Sequence, residues 1–231
     1  MSTKIETFRQ RDDFGPFNAN IQFVEKTDLL SREAKILEIG SGKGRLLNHY
    51  VKLGYDIRGV EINREYIAAS RVLFGELPLT PVDSERLPAD DASLDLVMSF
   101  DVFEHIPDTD AHLREVTRIL KPGGTYLLQT PNKWTNTVFE TFRWKSLTAW
   151  KVQHCSLHSF RELRRRCEKH GLSVTFYDIP LVDDFFRFKV EAYLGKAGLA
   201  LIKVINPDAL PLPLRTNFFI TARKRAGDAG R

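Results

Sequence analysis

Cysteine and long apolar runs are scarce in this chain of 231 residues. The two cysteines, Cys155 and Cys167, lack a metal-like spacing and are too few for a disulfide framework, so they predict reduced thiols. No apolar run approaches the roughly 18 residues of a membrane-spanning helix. The start of the chain, MSTKIETFRQRDDF, is too polar for a signal peptide. Together these absences favour a cytoplasmic globular protein.

An excess of positive charge is missing from residues 1–140, which hold 17 Lys and Arg against 22 Asp and Glu. Residues 141–231 reverse this balance, with 17 against 8. Such a basic part could attract an anionic substrate, a membrane surface or nucleic acid, and a solvated surface explains it equally well. The composition, 42% hydrophobic and 28% charged, is that of an ordinary folded domain.

Strand-like and helix-like segments alternate up to residue 131, which predicts βαβ units around a parallel sheet. The predicted strands are 35–39, 55–62, 77–83, 94–100, 124–131, 172–179 and 216–224. The predicted helices are 44–54, 63–75, 108–120 and 159–171. Asn63 and Ser159 are expected to cap two of these helices, and Pro122-Gly123-Gly124 is expected to end a third.

The pattern loosens after residue 131 and predicts additions to one domain. Residues 132–154 contain all three tryptophans and indicate an insertion or lid, and residues 183–214 form a mixed aromatic, aliphatic and basic insert. The first residues are expected to add a helix over one sheet edge. The chain is therefore predicted to be a single domain, 1–231, made of an N-terminal helical extension 1–33, a core 34–132 and a further region 133–231.

Three glycines follow the first predicted strand at alternate positions: Gly40, Gly42 and Gly44. They lie between a strand and a helix, where a glycine-rich turn indicates nucleotide binding. A backbone without side chains lets a ligand approach closely, and the helix start offers free N–H groups. Because such a turn is weak evidence alone, other residues must support it.

Acidic residues stand at the ends of four predicted strands: Glu38, Glu61, Asp83 and Asp101. Ligands in open parallel sheets bind beyond the carboxyl ends of the strands, so these acids predict one ligand site. Glu61 follows Gly44 by 17 residues, and a carboxylate there can accept hydrogen bonds from both hydroxyls of a ribose.

The stretch EIGSGKG (38–44) resembles the first motif of class I S-adenosylmethionine-dependent methyltransferases. Later motifs of that family are similar, in order, to Glu61, Asp83, FDVFEHIPD (100–108) and LKPGGTYLLQTPN (120–132). The resemblance implies an α/β, Rossmann-like seven-stranded sheet in the order 3-2-1-4-5-7-6, with strand 7 antiparallel and helices on both faces. It also implies S-adenosyl-L-methionine as cofactor. A nicotinamide-dependent oxidoreductase is the alternative, but the glycine spacing Gly-x-Gly-x-Gly favours the methyl donor.

The same resemblance implies roles for single residues. The methionine end of the donor would be held by Gly40, Ser41, Gly42 and Gly44, with Glu38 near its ammonium group. Glu61 would bind the ribose hydroxyls, and the adenine would lie near Ile62, Asp83, Ser84 and Leu87. Asp101 and Phe103 would line the wall beside the sulfonium. Core packing explains Phe103 and Leu87 equally well.

A base is usually needed when the acceptor atom is oxygen, and histidine fits that role best. His154 aligns with a histidine found before the penultimate helix in similar small-molecule and glycan methyltransferases, which makes it the candidate base. The alternative role is a hydrogen bond to the lid. His49 and His112 fall within amphipathic helices and are predicted to lie on the surface. No metal site is predicted.

The expected reaction is methyl transfer to a small-molecule, lipid-linked or glycan acceptor, with oxygen favoured. Residues 185–205 combine apolar and basic side chains, so they could lie peripherally on a membrane or cover the acceptor pocket. Nucleic acid is a poor fit, because no RNA-binding module is visible. A catalytically silent binding protein is the remaining alternative, which the intact acids oppose. The sequence predicts no oligomeric state.

Overall fold

The computed structural model describes residues 16–83 and 86–226, apart from the side chain of Phe185. Its strands are β1 (Ile36–Ile39), β2 (Ile57–Glu61), β3 (Leu79–Pro81), β4 (Leu94–Phe100), β5 (Leu120–Pro131), β6 (Leu172–Tyr177) and β7 (Asn217–Lys224). They form one seven-stranded sheet in the order β3-β2-β1-β4-β5-β7-β6. The strands from β3 to β5 pair in parallel, and β7 is antiparallel to both neighbours. This confirms the fold that the family resemblance implies.

Helices cover both faces of the sheet. They are α1 (Phe17–Thr27), α2 (Arg45–Lys52), α3 (Arg64–Phe74), α4 (Thr109–Ile119), α5 (Lys133–Trp144), α6 (Phe160–Lys169) and α7 (Asp184–Val204). One apolar cluster contains Val116 of α4 and Leu163 of α6, and a second contains Phe23 of α1 and Leu47 of α2. Because β1 and β4 are buried between these clusters, their sequences read as nearly continuous apolar runs.

Local signals in the sequence located most element boundaries. The Asn63 side chain accepts hydrogen bonds from the backbone of Glu65 and Tyr66 at the start of α3, as predicted. Ser159 forms a capping box with Glu162 at the start of α6. Both caps satisfy backbone N–H groups that a helix start leaves without an internal partner.

Strand β5 begins at Leu120, four residues before its predicted start, and so includes Pro122-Gly123-Gly124. The pairing with β4 shifts between Leu94 and Leu96 to accommodate these residues. Gly123 has φ 81°, and a Cβ on Gly124 would lie 3.0 Å from the carbonyl oxygen of Lys121. The segment is thus an irregular strand start that follows directly on the end of α4.

Helix α1 is the described part of the predicted N-terminal extension; residues 1–15 lie outside the described residues. Phe23 contacts Phe100, Tyr177 and Phe219, with ring centroids 5.4–6.1 Å apart. The helix therefore lies across a face of the sheet rather than over one edge as predicted. Aromatic packing against β4, β7 and the edge strand β6 explains the difference.

Helix α7 lies in the predicted insert 183–214 and is interrupted at Gly195, which has φ 63° and ψ −161°. These angles are not helical, so the helix changes direction there. Helix α5 and a 3-10 turn at Ala149–Val152 occupy the predicted lid. Within the described ranges, no helix is both long and apolar enough to cross a membrane.

Candidate functional site

A cavity of about 1000 Å³ opens at the carboxyl ends of β1, β2 and β4. Its lining includes Glu38, Gly40, Ser41, Gly42, Glu61 and Ile62 from the first part of the chain. It also includes Asp101, Glu104, Asn136, His154 and Lys189 from later segments. The fold therefore joins the predicted donor residues and the predicted acceptor region in one space.

The glycines of the turn between β1 and α2 all have positive φ, but they serve different purposes. A Cβ on Gly42 would meet no atom within 4 Å, so this position leaves room for a ligand. A Cβ on Gly40 would collide with a methyl group of Val102. A Cβ on Gly44 would lie 2.6 Å from Ser70 Oγ, and Gly44 does not line the cavity. Gly44 is therefore required for packing and lies outside the cavity lining, and its place in the donor site stays a prediction.

Glu61 at the end of β2 connects that strand to the glycine turn. Its Oε2 accepts a 2.7 Å hydrogen bond from the Gly42 amide, and its Oε1 accepts one of 2.8 Å from the Asn63 amide. A carboxylate has about four acceptor positions, so two remain for other donors. Glu61 lines the cavity and can use them there.

Glu38 at the end of β1 is buried, and its Oε2 has no hydrogen-bond partner among the described residues. Burial raises the pKa of Glu38 to about 7, and the nearby Glu61 carboxylate adds to the rise. A buried acceptor without a partner is costly, which makes this oxygen a suitable site for a ligand donor such as an ammonium group.

The predicted adenine residues are only partly brought together. Ile62 lines the cavity with 74% of its surface exposed, and Val82 and Leu87 line it as well. Asp83 is exposed and is not part of the lining, so its place near the adenine stays a prediction. Ser84 lies outside the described residues.

Asp101 lines the cavity as predicted, whereas Phe103 does not. The Asp101 amide donates to Gln129 Oε1 at 2.8 Å, and Gln129 Nε2 donates back to Asp101 Oδ1 at 3.0 Å. Phe103 is fully buried, with its ring 5.4 Å from that of His158. Its prediction as a wall residue is wrong, because the 3-10 turn Phe103–His105 directs it into the core and leaves Glu104 on the cavity.

His154 lines the cavity, and its Nδ1 lies 2.8 Å from Asn136 Nδ2. Burial lowers the pKa of His154 to about 4. The charge of Glu140 opposes this shift, and positively charged groups near His154 add to the shift. The imidazole is therefore neutral near pH 7. The ring of His105 lies 5.0 Å away. Within the described residues, no group of three or more His, Cys, Asp and Glu is arranged to hold a metal ion.

His112 contradicts its prediction as a surface residue. It is buried, and its Nε2 lies 3.0 Å from the hydroxyl of Tyr126 on β5. Burial lowers the pKa of His112 to about 4. Helix α4 turns this histidine toward the sheet, together with Leu113 and Val116.

Several cavity residues were missed by the sequence analysis: Glu104, Asn136, Glu140, Arg143 and Lys189. Burial raises the pKa of Glu104 to about 8, and the neighbouring Asp101 carboxylate adds to this rise. Asn136, Glu140 and Arg143 have the spacing i, i+4, i+7, which places them on one face of α5. That spacing was the available signal.

Comparison with known proteins shows a family match. A family model described as a methyltransferase domain matches residues 9–176. A ubiquinone biosynthesis O-methyltransferase of Paramagnetospirillum magneticum is 35% identical over 103 residues, which cover 42% of this chain and 41% of that protein. A probable S-adenosylmethionine-dependent methyltransferase of Mycolicibacterium smegmatis is 31% identical over 100 residues, covering 43% and 39%. The chain thus spans about two fifths of these curated relatives.

Solved structures support the fold. A Thermotoga maritima protein described as a possible histamine N-methyltransferase has a TM-score of 0.61 and 20% identity, over 90% of this chain and 89% of that one. A Haemonchus contortus N-methyltransferase, solved with phosphomonomethylethanolamine and S-adenosylhomocysteine, has a TM-score of 0.64 and 19% identity. That match covers 90% of this chain and 52% of the other. At this level of identity, the likeness concerns the fold alone.

Proposed function

This chain belongs to the class I S-adenosylmethionine-dependent methyltransferases, and we propose that it transfers a methyl group to an oxygen atom of a small-molecule acceptor. The proposal rests on the single cavity that joins Gly42 and Glu61 to Asn136, His154 and Lys189. S-adenosylmethionine supplies a methyl group already activated on a sulfonium. The contribution of the protein is then mainly to hold and align the two reactants.

The residues at one end of the cavity fit the donor. The Glu38 Oε2 atom without a partner suits its ammonium group, and Gly42 leaves space for its methionine part. The two remaining acceptor positions of Glu61 suit the ribose hydroxyls. The exposed side chain of Ile62 suits one face of the adenine. These assignments follow the family resemblance and await a binding experiment.

Oxygen is favoured over an amine as the acceptor atom. At the acceptor end of the cavity, Arg143 is paired with Glu140, whereas the Lys189 ammonium has no ion pair among the described residues, so its charge opposes entry of an ammonium group. His154 is the candidate base, because its imidazole is neutral and can take a proton. The names of relatives that act in ubiquinone biosynthesis as O-methyltransferases support the same choice.

Helix α7 supports an additional proposal about how the protein reaches its acceptor at a membrane surface. Phe186, Lys189 and Tyr193, before the kink at Gly195, line the cavity. After the kink, the exposed apolar side chains are those of Leu201, Val204 and Ile205. Within residues 185–205, we propose that the first half covers the acceptor and the second half contacts a membrane surface peripherally. Such contact suits a lipid-linked acceptor.

The membrane contact is tested by co-sedimentation with vesicles that contain anionic lipid. Leu201→Asp combined with Val204→Asp should release the protein from the vesicles, because both side chains are exposed and lie outside the cavity. Ser173→Asp combined with Thr175→Asp, at two exposed positions of β6, adds the same charge elsewhere and is the matched control. Equal sedimentation of all three proteins would contradict the proposal.

The transferase activity is tested by incubating the protein and methyl-labelled S-adenosylmethionine with fractions of a cell extract. Aqueous small molecules, lipids and glycans are separated beforehand, so the labelled fraction identifies the acceptor class. Glu61→Ala serves as the control without a donor site. We expect label as a methyl ether, in the aqueous small-molecule fraction for a soluble acceptor and in the lipid fraction for the lipid-linked acceptor that the membrane contact suits. Donor binding without label in any fraction would instead indicate a catalytically silent binding protein.

A further inference from the structure

Lys189 presents a half-buried ammonium group at the acceptor end of the cavity. Its Nζ lies 5.1 Å from the centroid of the Phe139 ring. Within the described part of the chain, Nζ has no hydrogen bond and no salt bridge. Burial lowers the pKa of Lys189, and attraction to the Asp101 carboxylate opposes that shift. A cation in this position lacks the partner that normally offsets its removal from water.

The acids around Lys189 already bind other donors. Asp101 accepts from Gln129, and Glu104 accepts a 3.0 Å hydrogen bond from Thr130 Oγ1. Glu140 accepts from Arg143 at 3.0 Å and from Trp144 at 2.9 Å. The charged and titratable groups that face this part of the cavity are Asp101, Glu104, His105, Glu140, Arg143, His154, Lys189 and Tyr193. The Lys189 ammonium makes no hydrogen bond and no ion pair with any of them among the described residues.

We propose that Lys189 binds the reacting oxygen of the acceptor in its ionised form, so that the acceptor is a phenol or an enol rather than a sugar alcohol or an amine. This inference rests on the proposed function, because it assigns a ligand group to the acceptor end of the same cavity. It identifies the acceptor by the chemistry that an unpartnered ammonium recognises.

The chemistry follows from the acidity of hydroxyl groups. A phenolic hydroxyl has a pKa of about 10, within reach of one nearby cation, whereas a sugar hydroxyl is far less acidic. On ionisation the O–H bond breaks, the oxygen keeps the electron pair, and the proton passes to water or to the neutral His154. A hydrogen bond from an ammonium to the resulting oxyanion is of the strong, charge-assisted kind. Ionisation also makes the oxygen a better nucleophile.

The test uses 4-nitrocatechol, a phenol whose visible absorption changes when it ionises. It is titrated with acid and base while bound to the wild-type protein, in the presence and in the absence of S-adenosylhomocysteine. We expect the bound probe to ionise at a lower pH than the free probe. Lys189→Met should remove this shift and weaken binding of the ionised probe about tenfold or more.

Two matched variants isolate the role of the charge. Lys189→Arg keeps a cation and should keep most of the shift. Lys196→Met removes an exposed lysine from the same helix, outside the cavity, and should behave as the wild type. Lys189→Gln replaces Lys189→Met if the methionine variant fails to fold, as judged by thermal unfolding.

Equal shifts in the wild type and in Lys189→Met would overturn the proposal. So would failure of 4-nitrocatechol to bind the wild type. Binding of S-adenosylhomocysteine is measured separately by calorimetry. Failure of S-adenosylhomocysteine to bind would contradict the proposed function. In that case, the titration without S-adenosylhomocysteine still decides the role of Lys189.

Discussion

The backbone amide of Gly42 donates a 2.7 Å hydrogen bond to Glu61 Oε2. The acid at the end of β2 therefore holds the turn that follows β1. This arrangement gives Glu61 a structural task in addition to its proposed task in binding. A substitution of Glu61 changes both, and an experiment must separate them.

Glu61→Ala should lower the affinity for S-adenosylhomocysteine by about 100-fold or more, because two hydrogen bonds to a charged group are lost. Glu61→Gln retains one acceptor oxygen, so its affinity should lie between those of the wild type and Glu61→Ala. Calorimetry measures the affinities, and thermal unfolding reports the loosened turn. Glu65→Ala on the exposed side of α3 is the control. Wild-type affinity in Glu61→Ala would refute the ribose assignment.

Glu38 predicts a pH dependence of donor binding. Its pKa is raised to about 7 by burial, and the ionised form is the one that attracts an ammonium group. Affinity for S-adenosylhomocysteine should therefore rise about tenfold between about pH 6 and pH 8. Below pH 7, binding should release a proton, which calorimetry in buffers of different ionisation enthalpy detects. In Glu38→Gln the rise should disappear; its persistence would assign the effect to another group.

The contact between His154 and Asn136 predicts how turnover depends on pH. His154 can take a proton at Nε2 only if Nδ1 carries a hydrogen, and the Asn136 amide must then present its oxygen. Asn136→Asp enforces this state and raises the pKa of His154, so the acid limb of the pH–rate profile should move to higher pH. His154→Ala should lower kcat by about 100-fold with unchanged binding of S-adenosylhomocysteine. Full turnover in His154→Ala would remove the residue from the mechanism.

Glu104 predicts a stability that falls as pH rises. Its pKa is about 8 in the folded protein, against 4.5 for a solvated glutamate, so folding favours the protonated form. The contribution of Glu104 is thus lost between about pH 4.5 and pH 8. Relative to the wild type, Glu104→Gln should gain at least about 1 kcal/mol in the free energy of unfolding from pH 5 to pH 8.5. Denaturant unfolding measures the difference, and the exposed Glu168→Gln should show none.

The sheet and the glycine turn were predictable because their signals are local. Strand β4 is a nearly continuous apolar run, interrupted by Asp95 and Ser99, and its predicted bounds, 94–100, are those of the structure. Asn63 and Ser159 cap helices through their own backbone neighbours. Phe103 and His112 were misplaced because their directions depend on which side of a turn or helix meets the sheet. That choice is made by packing between distant segments.

Helix α5 shows why the acceptor end was harder to predict. The aromatic and aliphatic side chains of Trp134, Val138 and Phe142 are 61%, 58% and 65% exposed. The polar face with Asn136 and Glu140 turns inward to the cavity. The usual rule, that the apolar face of a helix is buried, would have oriented this helix the wrong way.

The break in α7 at Gly195 divides one helix into two independent surfaces. A substitution before the break, at Phe186 or Tyr193, changes the shape of the cavity wall. A substitution after it, at Leu201 or Val204, changes only the exterior of the protein. Substrate preference and the proposed membrane contact would consequently be separable traits, and a homologue could exchange one of them while inheriting the other intact.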